Sequence, residues 1–422
     1  MKIVILTPEQ FDQFSFSHPL HTFYQTSMYG NLELKSGYQV FYYGFVDESE
    51  NLIGATMLYM GKLFGKYKFA YAPRGFLIDY EDKQLLLEIT EKFKRYLSKQ
   101  KVVFLKIDPP VINNKRDKDG NIIPSEYSND LIPFLTNNNY GYFGENTFFG
   151  TMKPRWNAIL KVTGSSETLF KNFEQHTRNK IRKAISRGVE IVQGTHNDVR
   201  VFYTFVAKKH HRKLSYYENL ASAFGDKFEL YFAKLNSANY LKNIKTIYEK
   251  EMANNEGLNN EIQKAGLNNN ISEKLTNSKI TSDKLIATYK NELLQASKLF
   301  EENPDGIIIG AAAYIKNPTG MSLLIEGSDK NYNLLYPTYL IKWHVIEKYS
   351  KLGAVYFDLN AITGNFSNNN KFRGLNEMKL GFNADIIEYV GEFDLVINQS
   401  MYNLYRRFEF LRKNMKSDVN KK

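Results

Sequence analysis

The sequence predicts an α/β fold built from two similar halves, because one order of strands and helices occurs twice along the chain. Residues 51–59 (NLIGATMLY) and 307–315 (IIIGAAAYI) are apolar segments with strand character, and each has glycine at its fourth position. Each is followed by another strand, an amphipathic helix and a strand that ends in an aspartate, Asp108 or Asp358. Chance similarity of short segments is the alternative, but the shared order and lengths favour a duplication.

The second half carries the plainest local signals. The turn 317–320 (NPTG) lies between two apolar runs and predicts a β-hairpin, because proline presets φ and glycine tolerates positive φ. Apolar residues then repeat at helical spacing from 340 to 349, and 354–358 (AVYFD) is typical of a short buried strand. After this strand, Lys379 lies in a segment that we expect to be rich in loops.

The first half begins with a strand and two helical pieces. The second piece covers roughly 25–34 and stops at 35–37 (KSG), so Lys35 is expected at a helix C-terminus, where a cation favours the negative end of the helix dipole. Residues 83–99 place apolar side chains on one face and predict an amphipathic helix.

Polar residues dominate 111–150, and their Asn, Asp, Lys, Gly and Pro clusters predict long loops around one short helix. We therefore expect a domain boundary here, with a first domain at 1–150 and a second at 151–395. The final segment, 396–422, is expected to pack on the first domain.

Residues 165–188 predict one continuous helix, with serine caps at its start and Gly188 as its stop signal. Its buried face is expected to include Phe173 and Ile185. Its last turns are crowded with cations, which favour either a solvated basic face or contact with a phosphate backbone. As candidates for this phosphate contact we take Arg178, Lys180, Arg182, Lys183 and Arg187.

Two helical stripes in 237–303, separated by an Asn- and Gly-rich zone, predict an antiparallel helical hairpin. This coiled-coil arm would be inserted in the second domain and would suit a large partner. Upstream, the basic cluster around Arg212 precedes Tyr216 and is typical of a wall for an anionic ligand. The adjacent His210 and His211 point apart on a helix, so we expect no metal site there.

Composition limits the classes of function. The 422 residues carry a formal net charge of +11, which favours an anionic partner such as nucleic acid or a pyrophosphate-linked substrate. The chain has no cysteine, which excludes thiolate zinc sites and a cysteine nucleophile. Neither a signal peptide nor an apolar run long enough to span a membrane is present, so we expect a cytoplasmic protein.

Common catalytic motifs are absent, including the Walker phosphate loop, the dinucleotide Gly-x-Gly-x-x-Gly, the Gly-x-Ser-x-Gly elbow and His-Glu-x-x-His. Asp108 and Asp358 are possible bases, although an aspartate at a strand end is as often a turn former. Lys379 is suited to stabilising an oxyanion without a cofactor.

Several segments resemble the Fem (FemABX) family of aminoacyltransferases, which build peptidoglycan interpeptide bridges from aminoacyl-tRNA. Each segment is weak alone, but together they keep the family's order over almost the whole chain. They are Tyr24-Gln25-Thr26-Ser27 with Lys35, Tyr71-Ala72-Pro73-Arg74-Gly75, Ile107-Asp108-Pro109, the Arg178 to Gly188 helix, Arg212 with Tyr216, the helical arm, the Glu326-Gly327-Ser328 turn, Lys379-Leu380-Gly381-Phe382 and Tyr389-Val390-Gly391-Glu392-Phe393-Asp394.

The resemblance implies two tandem acetyltransferase-like (GNAT) domains and no cofactor beyond aminoacyl-tRNA as co-substrate. It implies that Lys35 and Arg212 contact the diphosphate of the cell-wall precursor and that Asp108 and Tyr216 help to position it. Lys379 resembles the family lysine that stabilises the transition state. The tRNA contact by the basic helix is our own hypothesis from charge.

The implied reaction transfers an amino acid, with Gly, Ala or Ser expected, to the side-chain amine of the precursor stem peptide. The acceptor would be UDP-MurNAc-pentapeptide or lipid II. Peripheral association with the inner membrane face is also expected, as is a homo-oligomer or a hetero-oligomer with related transferases. Three departures from the family pattern, Met378, Glu326 and Asn360, leave the transferred amino acid and the acceptor open.

Two other classes of function stay open at this point. One is a non-enzymatic RNA- or envelope-associated binding protein, which tight RNA binding without transfer would favour. The other is an acyl-CoA-dependent N-acyltransferase, which stable acyl-CoA binding would favour. The latter is weakened because the chain lacks the Gln/Arg-x-x-Gly-x-Gly/Ala pyrophosphate loop.

Overall fold

Two large β-sheets organise the chain, one of seven strands and one of nine. The computed structural model describes residues 1–124, 130–209, 212–267 and 271–419, with side chains described as far as residue 409. Helices pack on both sheets, so the predicted mixed α/β class is confirmed.

The elements of the first part of the chain are β1 (Lys2–Ile5), α1 (Pro8–Ser17), α2 (Ser27–Lys35), β2 (Gln39–Val46), β3 (Leu52–Phe64), β4 (Tyr67–Ala72), α3 (Lys83–Lys99), β5 (Val102–Ile107), β6 (Ile112–Arg116), β7 (Ile122–Ile123), α4 (Leu131–Asn137) and β8 (Tyr140–Tyr142). The helix starts follow local sequence. Thr7 forms a capping box with Gln10 at α1, and the Asp82 side chain accepts from the Leu85 N–H at α3.

The second part contains β9 (Trp156–Lys161), α5 (Ser166–Asn172), α6 (Gln175–Ser186), β10 (Val189–Gln193), α7 (Val199–Val206), α8 (Leu214–Phe224), β11 (Phe228–Leu235), α9 (Ser237–Leu267), α10 (Glu273–Glu302), β12 (Ile307–Lys316), β13 (Gly320–Ser328), α11 (Pro337–Lys351), β14 (Tyr356–Ala361), α12 (Arg373–Leu380), β15 (Asp385–Tyr389), β16 (Phe393–Val396) and α13 (Gln399–Val419). The segment 326–328, expected as a turn, is the end of strand β13. Lys379, expected in a loop, lies on helix α12.

The two sheets repeat one strand order. The first is arranged β1-β2-β3-β4-β5-β16-β8 and the second β10-β11-β12-β13-β14-β9-β15-β6-β7. In each sheet, the first four strands pair antiparallel with their neighbours. The fourth strand also pairs in parallel with a fifth, and a helix connects these two strands, as in β4–α3–β5 and β13–α11–β14. The two similar segments at 51–59 and 307–315 fall on β3 and β12, the third strand of each series. The acetyltransferase-like classification stays a prediction, whereas the repeat is visible in the topology.

Membership of the sheets does not follow the expected division at residue 150. Strands β6 and β7 pair in the second sheet, and β16 pairs between β5 and β8 in the first. Helix α13 packs on the first sheet, where Tyr402 and Tyr405 lie 5.5 and 5.0 Å from the ring of Phe104. The expectation of long loops at 111–150 is wrong, because this segment contributes three short strands.

The predicted helix 165–188 is broken in two at Phe173 and Glu174, which have extended backbone angles. The break has a tertiary cause, because the Glu174 N–H donates to the Gly381 carbonyl at 2.9 Å instead of continuing the helix. It also changes the phase of the second piece. Ile185, expected in the core, is 54% exposed, while Ala184 is fully buried.

Helices α9 and α10 lie side by side between β11 and β12. Asn255 donates to Ser282 at 3.0 Å, and Tyr240 donates to Glu292 at 3.2 Å, so the two helices run antiparallel. The residues between them, 268–270, lie outside the described part of the chain. A role of this helix pair in reaching a partner stays a prediction.

One hydrophobic cluster joins the two halves. It combines α1, α2 and β3 of the first half with α7, α8, β11 and β12 of the second. Phe23 and Phe224 meet in it with ring centres 6.1 Å apart, and Lys35 reaches Ser222 beside them. Burial of these apolar side chains holds the halves together and fixes a cleft between them.

Candidate functional site

Polar side chains gather in strand β14 around Asp358. The strand continues past this residue to Ala361, so Asp358 lies within the strand and not at its end as expected. The parallel pairing of β13 and β14 extends to the pair Ser322 and Asp358. The Asp358 carboxylate then accepts from the Asn157 side chain at 3.0 Å and from the Asn360 N–H at 2.7 Å. Burial raises the pKa of Asp358. This carboxylate is held between two amides and is a candidate proton acceptor.

Asn360 shapes the backbone beside this carboxylate. It has a left-handed φ of 67°, which asparagine tolerates better than most residues other than glycine. Its side-chain amide donates to the carbonyls of Leu323 and Leu324 at 2.9 Å, bridging the gap where β13 and β14 separate. Asn360, one of the three departures from the family pattern, therefore holds a left-handed backbone position and makes two side-chain hydrogen bonds to β13.

Lys379 lies next to the end of β14. Its ammonium donates to the Ala361 carbonyl at 2.7 Å, and the residue is 6% exposed. Burial lowers the pKa of Lys379 to about 8, with Glu326 and Asp358 acting against that shift and Lys342 adding to it. The predicted catalytic lysine is thus a buried cation beside a carboxylate.

A buried ion pair between Lys342 and Glu326 interacts electrostatically with Lys379. Lys342 on α11 is fully buried and bonds the Glu326 carboxylate on β13, while Lys209 donates to the Glu326 carbonyl at 3.0 Å. Burial lowers the pKa of Lys342, an effect that Glu326 opposes. Sequence reasoning missed Lys342, although its spacing to Val345 and Tyr349 places it on the buried face of the predicted helix.

Asp108 occupies the matching position in the first half, after β5. It is 2% exposed and accepts from the Tyr71 hydroxyl at 2.9 Å and from the Arg74 N–H at 2.6 Å. Burial raises the pKa of Asp108, and the positive charge of Arg74 opposes the shift. The Arg74 guanidinium lies 4.7 Å from the ring centre of Tyr389, a residue from the second sheet.

Lys35, Arg212 and Tyr216 all lie along α8. Lys35 is the last residue of α2, is exposed, and donates to Ser222 in the C-terminal part of α8 at 2.8 Å. At the start of the same helix, the Arg212 guanidinium lies 4.0 Å from the ring centre of Tyr216. Burial raises the pKa of Tyr216 despite this cation. The structure therefore brings Lys35 to the helix that carries Tyr216, but to its opposite end.

Lys153, which sequence reasoning missed, joins these two groups. Its ammonium donates to the Tyr29 hydroxyl at 2.8 Å and lies 4.0 Å from the ring centre of Tyr24. Both Asp108 and Arg212 interact electrostatically with it. No local pattern marks this lysine, because its neighbours come from distant parts of the chain.

A cavity of about 1150 Å³ lies between the halves and is lined by helix and loop residues of the first half and by strands of the second sheet. Tyr24, Arg74 and Tyr389 line it together with Asp358 and Asn360. The other predicted site residues, Lys379 included, lie outside the lining, so Asp358 is the group of the β14 site that faces this space.

The basic helix α6 uses several of its cations internally. The Arg178 guanidinium donates to the carbonyls of Lys171 and Phe173 where α5 ends, and Lys180 donates to the Tyr339 hydroxyl at 2.9 Å. Arg187 is 6% exposed and bonds Glu292 on α10 at 2.7 Å. We correct the expectation for Arg187, because burial in an ion pair removes it from a phosphate.

Two other cations of α6 lie against aromatic rings. The exposed Arg182 lies 5.4 Å from the ring centre of Phe170, and the half-buried Lys183 lies 5.4 Å from that of Tyr336. Lys183 also lines a second cleft of about 690 Å³ beside α10. Arg178 and Lys180 are half-buried as well, so four of the five predicted tRNA residues keep accessible surface.

Within the described ranges, no cluster of three or more His, Asp or Glu side chains is arranged to hold a metal ion. His210 and His211 lie outside those ranges. In the same part of the chain, every helix is too short or too polar to cross a bilayer.

Comparison with known proteins gives one consistent result. Aminoacyltransferase FemA of Staphylococcus epidermidis is 25% identical over 426 residues, covering 98% of this chain and 100% of the relative. FemA of Staphylococcus aureus is 23% identical over 416 residues, covering 96% and 97%. A crystal structure of FemX superposes with a TM-score of 0.72 at 21% identity, covering 96% of this chain and 99% of that one, which supports the fold.

The profile of the FemAB family matches residues 6–409. The predicted family is thereby confirmed, and with it the predicted enzyme class, an aminoacyltransferase. From this nearly complete match we conclude that the chain belongs to the FemAB family.

Proposed function

We propose that this chain transfers an amino acid, with Gly, Ala or Ser expected, from aminoacyl-tRNA to the side-chain amine of a peptidoglycan precursor. Relatives named aminoacyltransferase FemA, which match almost the full length, support the transfer of an aminoacyl group. The observation that carries the proposal is the Asp358 carboxylate facing the large cavity on β14, the strand whose last residue, Ala361, accepts from the buried ammonium of Lys379.

The proposed step is an aminolysis. The amine nitrogen of the stem peptide attacks the carbonyl carbon of the aminoacyl ester, and a C–N bond forms while the carbonyl oxygen becomes an oxyanion. The C–O bond to the terminal ribose of tRNA then breaks, and the proton lost by the amine ends on the ribose hydroxyl. Because the ester is already activated, the protein has to position the reactants, accept a proton and stabilise negative charge.

Lys379 is proposed to stabilise the oxyanion. A lysine with a pKa of about 8 is largely protonated at neutral pH and carries the charge that this role requires. Removing one donor of this kind costs about 3–4 kcal/mol in the barrier of well-studied acyl transfers.

Asp358 is the proposed proton acceptor. It faces the cavity, and burial moves its pKa upward, towards the range in which a carboxylate takes a proton more readily. The Asn157 and Asn360 amides hold its oxygens in place, so the side chain presents a fixed acceptor to an amine that enters the cavity.

The precursor is proposed to bind across the α2–α8 junction. Lys35 and Arg212 supply cations for its diphosphate, and Tyr216 and Asp108 position it. UDP-MurNAc-pentapeptide and lipid II both carry this diphosphate, so either acceptor fits the proposal. Binding of the lipid-linked form would place the enzyme at the inner membrane face, in the cytoplasm where charged tRNA is available.

The tRNA is proposed to approach along α6. Arg182 and Lys183 offer cations next to aromatic rings, an arrangement that suits a phosphate backbone with unstacked bases. Arg178 and Lys180 lie on the same helix, but they already donate hydrogen bonds to acceptors within the protein. The α9–α10 pair is a second candidate surface for tRNA or for a related transferase.

The test uses the purified full chain, tRNAs charged with labelled amino acids, and either soluble or lipid-linked precursor. We expect label to move into the precursor, with transfer abolished when ribonuclease is added before the reaction. The labelled product also identifies the amino acid. Absence of transfer with every amino acid and both acceptors, together with tight RNA binding, would overturn the enzyme assignment in favour of a binding protein.

A further inference from the structure

Lys153 occupies an aromatic niche between the two halves. It lies in the connection before β9, where its ammonium is 4.0 Å from the ring centre of Tyr24 and 4.8 Å from that of Tyr29. It also donates to the Tyr29 hydroxyl at 2.8 Å. These contacts fix the direction of the lysine side chain and leave its ammonium half-buried.

The charges that face Lys153 come from both halves. Asp108 and Glu33 are the carboxylates, and Arg74 and Arg212 are the cations. A lysine ammonium has three N–H donors, and the Tyr29 hydroxyl accepts one of them. The described side chains give Lys153 no ion-pair partner, so hydrogen-bonding capacity remains for an acceptor that the protein does not supply.

The remaining N–H donors of Lys153 lie close to other parts of the proposed precursor site. Tyr24, under the ammonium, lines the large cavity, and Arg212 belongs to the surface where the diphosphate is proposed to bind. A precursor that extends from Arg212 towards Asp358 would pass this point. Two partly desolvated cations facing each other, Lys153 and Arg212, repel one another and favour an anion between them.

We propose that Lys153, held by Tyr24 and Tyr29, is an anion-binding residue that contacts a phosphate or carboxylate oxygen of the cell-wall precursor. This inference rests on the proposed function, and it adds a third cation to the pair formed by Lys35 and Arg212. The bound oxygen accepts a charge-assisted hydrogen bond, and the ammonium keeps its contacts with both tyrosines.

This role predicts a distinctive pH dependence. Burial lowers the pKa of Lys153 to about 8, with Asp108 and Glu33 opposing the shift and Arg212 and Arg74 adding to it. The charged form is present below pH 8 and is lost as the pH rises through that value. Affinity for the precursor should therefore fall above about pH 8 through the loss of this charge.

The experiment measures binding of UDP-MurNAc-pentapeptide to the full chain by calorimetry, before any transfer assay. Lys153→Met should weaken binding by about 10- to 100-fold, the usual effect of losing a hydrogen bond to a charged group. Lys153→Arg should recover part of the affinity. Lys62→Met, on an exposed lysine of β3, is the matched control and should change nothing.

The loss of pH dependence in Lys153→Met is the readout that a purely structural lysine would not produce. Repeating the titration with UDP-N-acetylglucosamine, which has the diphosphate but neither carboxylate nor peptide, separates the two anion sources. An equal loss of affinity assigns the phosphate, and a loss confined to the full precursor assigns a carboxylate. Where the wild-type chain binds neither soluble ligand, the same comparison is made with lipid II. Unchanged binding of the ligand by a folded Lys153→Met protein would overturn this inference alone, whereas a wild-type chain that binds neither the soluble precursor nor lipid II would overturn the proposed function as well.

Discussion

In each half, an aspartate lies where the central parallel strand pair ends, but the surroundings of this aspartate differ between the halves. In the first half, Asp108 is bonded by Tyr71 and by the backbone of Arg74, among cations that face the proposed precursor. In the second, Asp358 is held by two asparagines and lies beside Lys379. We therefore propose that the two matching aspartates have separate roles, with Asp108 positioning the precursor and Asp358 taking part with Lys379 in bond formation.

The sharpest test of this division is Lys379→Met. Loss of the oxyanion-stabilising charge should lower kcat by about 10²- to 10³-fold and leave precursor affinity near that of the wild type. Steady-state transfer kinetics and calorimetric binding measure the two quantities separately. Lys351→Met, an exposed lysine on α11, is the control and should retain activity.

The same lysine links kcat to pH. Because its pKa is about 8, wild-type kcat should decline as the pH rises through 8, and the residual kcat of Lys379→Met should lack that decline. Loss of precursor binding with intact turnover at saturation would contradict the role of Lys379 and the proposed division.

The second half contains an inserted pair of helices that the first half lacks. The link between β2 and β3 is five residues long in the first half, whereas α9 and α10 are inserted at the matching point of the second. Arg187→Leu would leave the half-buried Glu292 without its cation, so we expect unfolding to become easier by about 2 kcal/mol. Urea denaturation measures this change, and Arg182→Leu, at an exposed position of the same helix, should leave stability unaltered. Equal stability of the two variants would show that the inserted helices are not anchored by this pair.

The smallest expected effects come from the two aspartates. Asp108→Asn should raise KM for the precursor by about 10-fold, and Asp358→Asn should lower kcat by a similar factor, since hydrogen bonds to charged groups are worth about 1.5–3 kcal/mol. Transfer kinetics with matched protein preparations distinguish the two parameters. If both substitutions change the same parameter, the halves share one role and the comparison fails.

Local sequence signals predicted much of the frame. The 317–320 turn, the amphipathic helix at 83–99 and the repeated strand order all depend on neighbouring residues, and the structure contains them. The break at Glu174 depends instead on a hydrogen bond to Gly381, some 200 residues away, which helical periodicity does not report. The short strands within 111–150 likewise form because distant strands accept them as partners.

The residues of the candidate site also divide into those that the sequence predicts and those that only the fold reveals. Lys379, Asp108 and Lys35 were found through sequence motifs, and Asp358 through its expected place at a strand end. Lys153 was missed because its surroundings are assembled from α2, β5 and the segment before α8, and such a niche leaves no mark in the local sequence. Arg187 was overestimated because composition cannot distinguish a buried ion pair from an exposed cation.

The exchange of strands between the sheets has a consequence for synthesis on the ribosome. The first sheet needs β16, residues 393–396, to lie between β5 and β8, so most of the chain must emerge before that sheet is complete. Nascent chains usually fold domain by domain from the N-terminus, and here the early strands have to wait with an open hydrogen-bonding edge. A premature stop even 30 residues from the C-terminus would therefore remove the strand that joins β8 to the rest of the first sheet, making this enzyme intolerant of C-terminal truncation.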